Sequence, residues 1–201
     1  LADFFCFDPF TILLFENYWA MKKTYGLAIL IGIMLTSCSQ KSHKKEDFLT
    51  YFEQNEGKRS VPYYEGIAYW ENLADHFNQV NAITYGKTDF GLPLHLIIAS
   101  NKECNLYDLK ERGDKKLLLI NNAIHPGEPC GVDATMMLYR NILQSSVLQE
   151  LTKDIVLVAI PIYNIGGALN RGSHSRTNQN GPEAYGFRGN AKNLDLNRDF
   201  I

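Results

Sequence analysis

The run "DIVLVAIPIYN", Asp154 to Asn164, limits the possible folds more than any other stretch of the chain. From Ile155 to Ile160 it offers no polar residue to either face. An alternating strand leaves one face in water, but a strand apolar throughout must be covered on both. Such a strand belongs inside a sheet flanked by helices, so an α/β chain is expected. A second apolar run, Leu117 to Ile120, reads as a short buried strand. Both runs give way to polar loops, after Ile120 and after Ile162. Loops that leave a sheet at the C-terminal ends of its strands are where α/β proteins bind ligands.

The remaining texture supports that class. "VPYYEGIAYWENLADHFNQV" places Ile67, Trp70, Leu73, Ala74 and Phe77 at helical spacing. "AITYGKTDFGLPLHLIIAS" reads as a β-hairpin with arms Ala82 to Tyr85 and Leu94 to Ala99, its turn supplied by Asp89, Gly91 and Pro93. Gly131 to Leu143 predicts a helix with Val132, Met136, Tyr139, Ile142 and Leu143 on one side. From Gly166 to Asn193, Gly, Asn, Ser and Arg dominate, which predicts a long loop, and long loops in compact domains are usually functional. Helix, hairpin, strand, helix, strand is the order of an α/β sandwich with a mixed sheet.

The N-terminus follows different rules. Lys22 and Lys23 precede an apolar stretch, Tyr25 to Leu35, that is short for a bilayer. Leu35-Thr36-Ser37-Cys38 resembles the lipobox of bacterial lipoproteins, in which the Cys is lipidated and becomes the new N-terminus. Residues 21–37 are therefore expected to be a lipoprotein signal peptide, with Cys38 the lipidation site. Residues 38–47 read as a polar tether and residues 1–20 as upstream translated sequence. The expected location is the bacterial cell envelope, on its periplasmic or extracellular face. Cys104 and Cys130 would then either pair or remain as two free buried thiols. With a net charge of −2 and no basic run, nothing points to nucleic acid.

Chemistry concentrates in two places. In "NNAIHPGEPC", His125 and Glu128 flank Pro126-Gly127, a turn that would point both side chains the same way. Imidazole and carboxylate are zinc ligands, and catalytic sites commonly pair His with Glu and leave one position for water. The plain alternative is a solvated His beside a Glu at a helix start. In "FRGNAKNLDLNRDF", Arg188, Asn190, Asp195, Asn197 and Arg198 cluster. An Asn-Arg pair makes a carboxylate clamp, because a guanidinium is a planar donor fork. A solvated polar loop is the alternative there.

Together these motifs resemble the N-terminal half of a zinc carboxypeptidase of the carboxypeptidase A family. His125-Pro126-Gly127-Glu128 matches that family's His-x-x-Glu. Arg188-x-Asn190 followed by Asp195-Leu196-Asn197-Arg198 resembles the segment of its regulatory-type branch, and the Gly86-Lys87-Thr88 hairpin is similar to the one that opens its catalytic domain. Asn164-Ile165-Gly166 departs from the family's Asn-Pro-Asp-Gly.

Over residues 48–201 the resemblance implies part of a three-layer α/β/α sandwich with a mixed central sheet. It implies Zn2+ held by His125 and Glu128. Arg188 would stabilise the oxyanion, and Asn197 and Arg198 would hold the free C-terminal carboxylate of a peptide substrate. Many members place an Arg just before the zinc Glu, where it reaches substrate. Gly127 stands there in this chain, which implies a looser inner-subsite preference. A third ligand, a His, and a Glu general base follow the Asn-Arg pair in the family's order and are expected beyond Ile201. His174 precedes that pair and is expected at the surface. Two other readings stay open: an N-acyl amino acid deacylase of the same superfamily, and a non-catalytic carboxylate-binding lipoprotein.

Overall fold

Two neighbouring parallel strands organise the molecule. The structure is a computed structural model and describes residues 48–100, 109–177 and 179–198. The expected signal segment, lipidation site, tether and Cys104 lie outside those residues. Strands β1 (Val80–Lys87), β2 (Pro93–Ala99), β3 (Lys116–Asn121) and β4 (Ile155–Ile160) form one sheet in the order β1-β2-β4-β3. β1 and β2 are an antiparallel hairpin, β2 pairs antiparallel with β4, and β4 pairs parallel with β3. The fold is therefore α/β with a mixed four-stranded sheet. The hairpin turn closes through Thr88 N–H donating to Leu92 O, with Gly91 at a φ of 85° that favours glycine.

β4 lies between two strands, as its unbroken apolar run requires, and Val156 to Ala159 are all buried. One face joins Leu157 and Ala159 to Ile97 and Ala99 of β2. Against that face pack helices α2 (Tyr63–His76) and α3 (Cys130–Leu143), introduced after the short α1 (Tyr51–Gln54). α2 contributes Trp70 and Leu73; α3 contributes Val132, Met136, Tyr139 and Leu143, a 3–4 spaced stripe. The two helices meet where Trp70 and Tyr139 stack edge to face at 5.0 Å. The opposite face carries a second buried cluster, Ile98, Val156 and Val158.

β3 corrects the expectation of a buried strand. Leu117, Leu118 and Leu119 are 41, 49 and 53 % exposed. Among the described residues β3 pairs only with β4 and forms the edge of the described sheet, a position that apolar composition alone does not reveal.

α3 is pinned from the side. Arg140 is fully buried and gives its guanidinium to the carboxylate of Glu53 in α1 and to Phe48 O. Glu53 also completes a capping box with Thr50. Two shorter helices follow, α4 (Ser146–Leu151) and α5 (Ile165–Leu169). α5 falls at the start of the expected loop; it forms because the Asn164 side chain caps it by accepting from Gly167 N–H at 2.8 Å. No helix among the described residues is long and apolar enough to cross a membrane.

Candidate metal centre

Because β3 and β4 are parallel, both polar loops leave the same end of the sheet. They keep bonding after the strands finish: Asn122 N–H donates to Ile160 O at 3.1 Å, Tyr163 N–H to Asn122 O at 2.9 Å and Asn164 N–H to Ala123 O at 3.1 Å. The first loop then turns sharply. Glu128 N–H donates to His125 O at 2.9 Å, closing a four-residue turn with Pro126 at the position where its fixed φ helps most. α3 begins two residues later. Asn122 Nδ2 donates to Thr135 Oγ1 of that helix at 3.0 Å, which locks the strand exit to the helix.

Asn164 ties the second loop to the first. It is fully buried, and its Nδ2 lies 3.3 Å from Ile124 O and 3.0 Å from Arg188 O while Oδ1 caps α5. One amide thus spans the His-containing turn, a helix start and the Arg-containing segment. The packing around it leaves no room for side chains. A Cβ on Gly167 would fall 2.4 Å from Phe187 O, and one on Gly186 would fall 2.4 Å from Pro126 Cβ.

On this frame five side chains meet. His125, buried, donates Nε2–H to Asp195 Oδ1 at 2.8 Å. Asp195 also receives Arg188 Nε (3.1 Å) and Nη2 (2.9 Å) on Oδ2. The hydrogen bond from His125, joined by those from Asn197 N–H and Arg188, holds the Asp195 carboxyl well below the usual carboxylate range. Asp195 is therefore an ionised acceptor, and an acceptor at Nε2 leaves the lone pair of the neutral ring on Nδ1. That nitrogen faces Glu128 Oε1 at 3.6 Å. Arg176 Nη1 donates to the same oxygen at 2.5 Å and lowers the Glu128 pKa.

The structure brings His125, Glu128 and Arg188 together. It leaves Asn197 and Arg198 exposed on a 3₁₀ turn, Leu196–Arg198, joined to the cluster through Asn197 N–H donating to Asp195 Oδ1 at 3.1 Å. The Arg198 guanidinium donates to Asn197 O at 3.0 Å, and its backbone N–H donates to Asp195 O at 3.1 Å. His174 is exposed, beside Ser173. Cys130 is a free thiol, exposed rather than buried because it opens α3 at the surface. Asp195, Asn164 and Arg176 are residues whose parts in the site sequence reasoning missed. Only Asp195 had a signal, its place in the Asp-Leu-Asn-Arg run.

Solved structures share this fold. The chain aligns with a metallo-carboxypeptidase from Burkholderia cenocepacia at a TM-score of 0.51 and 21 % identity, over 69 % of this chain and 33 % of that one. A carboxypeptidase A from Helicoverpa armigera aligns at a TM-score of 0.50 and 20 % identity, over 80 % and 39 %. A putative carboxypeptidase from Burkholderia mallei gives 0.50 and 20 %, over 69 % and 32 %. The chain thus spans about a third of the length of these proteins, and the α/β arrangement is part of the carboxypeptidase fold. No curated protein matches the chain in sequence. Residues 67–201 match the zinc carboxypeptidase family, and the chain belongs to it.

The donor set fits the metal that family uses. Two ligands bonded to one tetrahedral zinc at about 2.0–2.1 Å sit about 3.3 Å apart, close to the spacing between Nδ1 and Oε1. A carboxylate on the far nitrogen of a ligating imidazole, the place Asp195 takes, is the usual support for such a ligand. Among the described residues no third His, Cys, Asp or Glu joins the pair to complete a metal-binding group.

Proposed function

We propose that this chain carries the N-terminal part of a zinc metallocarboxypeptidase that removes C-terminal residues from peptides, including peptidoglycan stem peptides. His125 and Glu128 would hold Zn2+, which when bound supplies an activated water and polarises the scissile carbonyl. Asp195 fixes the His125 tautomer and keeps Nδ1 free. Arg188 places a guanidinium at the cluster, positioned for the oxyanion. Asn197 and Arg198, exposed and sparsely bonded, hold the free C-terminal carboxylate and so select which bond is cut. Lipidation at Cys38 would anchor the protein in the bacterial cell envelope.

The observation that carries this reading is the Nδ1–Oε1 pair at 3.6 Å, with Asp195 on the other ring nitrogen. Metal analysis of the full-length protein, with hydrolysis of matched free and amidated peptides, tests it. One zinc per chain and cleavage of the free peptide alone are expected. Zinc without hydrolysis would leave a carboxylate-binding protein instead. Mass spectrometry of protein from native membranes should find an acylated N-terminus at Cys38; a soluble protein starting elsewhere removes the anchor.

A further inference from the structure

The segment 172–186 places a cation at the metal pair for which the proposed function has no use. Its ends pair with each other: Gly172 N–H donates to Tyr185 O at 3.0 Å, and Tyr185 N–H returns the bond at 3.1 Å. The buried Tyr185 hydroxyl lies 2.8 Å from Ser173 O and 3.1 Å from Arg176 O, and Ser175 Oγ donates to Gly186 O at 3.1 Å. The backbone that carries Arg176 is therefore held from inside the segment.

The side chain of Arg176 lies on the bare backbone of Gly127. A Cβ at Gly127 would fall 2.7 Å from Arg176 Cδ, so the guanidinium occupies space that any larger residue would contest. It donates to Glu128 through Nη1 and makes no other hydrogen bond among the described residues. A guanidinium has five N–H groups. Its Nε–Nη2 edge is thus open, and the side chain is 32 % exposed, within reach of a ligand. Arg188 grips the Asp195 carboxylate in this molecule by that same edge.

We propose that Arg176 is a specificity-determining residue that takes a carboxylate side chain of the bound peptide, in the residues preceding the one released. This rests on the peptidase reading, in which the C-terminal carboxylate already has Asn197 and Arg198. A second carboxylate matches the open fork in charge and in planar geometry, and a neutral amide of the same shape does not. Gly127, which implied a loose inner subsite, instead makes room for a guanidinium delivered from 49 residues further along the chain.

The experiment compares peptide pairs that differ only by Glu against Gln, at the penultimate and the preceding position, on zinc-loaded full-length protein. A charge-assisted contact should favour the Glu peptide about 10–100-fold in KM, and added salt should shrink the preference. In R176A the Glu-to-Gln ratio should fall to near one, with R176K retaining part of it. Calorimetric binding of the same pairs gives the ratio even if the wild type hydrolyses nothing, so failure of the peptidase reading and failure of this inference are separable. Equal handling of Glu and Gln peptides by the wild type overturns the proposal. So does a preference that survives in R176A, or an R176A protein that loses zinc while R176K keeps zinc and shows no preference.

Discussion

The turn at His125–Glu128 and the turn at Leu196–Arg198 stand at the same site and differ in how firmly each is tied to the rest of the molecule. The first is closed by its own backbone bond, walled by Gly186 and fastened through Asn164 to two other segments. Its histidine side chain is only 7 % exposed. The second closes on Asp195 alone, through Arg198 N–H on its O and Asn197 N–H on its Oδ1, and leaves both proposed substrate-binding side chains in solvent. The difference matches the two tasks proposed for these turns. A metal ligand misplaced by a fraction of an ångström loses its bond, so its position is set before anything binds. A clamp for a mobile peptide end gains its partner only on binding and is left open to meet it.

Substitutions in the open turn should spare folding and cost function; those in the closed turn should cost folding. The largest functional loss is expected for Arg198→Ala in the full-length enzyme, about 2–5 kcal/mol in kcat/KM on peptides with a free C-terminus and no change in melting temperature. Arg198→Lys should recover little, because a point charge does not replace a fork. Equal cleavage of free and amidated peptides by the wild type would remove the clamp role.

Asn164→Ala tests the other side. It strips one buried amide of its contacts to Ile124 O, Arg188 O and Gly167 N–H. Denaturant unfolding should show a loss of about 2–4 kcal/mol, since each orphaned buried polar group costs about 1–3 kcal/mol. A variant as stable as wild type would mean that the closed turn is not held through Asn164.

Asp133, one turn into α3, shows that the closed region carries a cost of its own. Burial pushes its carboxyl up to about 6, against the partial relief of the bond from Val61 N–H and the charge of Arg171. A carboxyl whose pKa is raised on folding favours the folded state most at low pH. That contribution is full below about 4 and is lost as pH rises through about 6. Asp133→Asn should therefore stabilise the protein by about 2–3 kcal/mol at pH 8 and flatten the stability profile between pH 4 and 6. An unchanged profile would show that Asp133 is not desolvated.

The smallest effect is expected where the two turns meet. Asp195→Asn keeps the shape but removes the charge that fixes the His125 tautomer. Zinc affinity, read by competition with a chelator, should fall about 10–100-fold. Unaltered affinity would mean that Nε2 needs no anionic partner.

What could be read in advance was what local pattern decides. The continuous run of β4, the stripe on α3 and the His-Pro-Gly-Glu turn are properties of neighbours in sequence, and each fell where expected. The burial of β3 did not, because whether an apolar strand is central or marginal depends on partners far along the chain. Asn164 looked like one more polar residue at a strand exit. Its weight comes from carbonyls 40 and 24 residues away, which no spacing rule reaches. Arg176 was hidden for the same reason, and Gly127 looked like a missing contact until the neighbour lying on it was seen.

Asp195 shares its two oxygens between two groups: Oδ1 with His125 and Oδ2 with Arg188. In a double-mutant cycle the effects of altering His125 and Arg188 should accordingly fail to add, because both act through the same carboxylate. The imidazole that would hold the metal and the guanidinium that would meet the oxyanion behave as one thermodynamic unit with a common anion. Inheritance is constrained in the same way. A change at any one of the three positions alters the setting in which the other two are selected, so lineages that depart from this trio should be found to have replaced its members together.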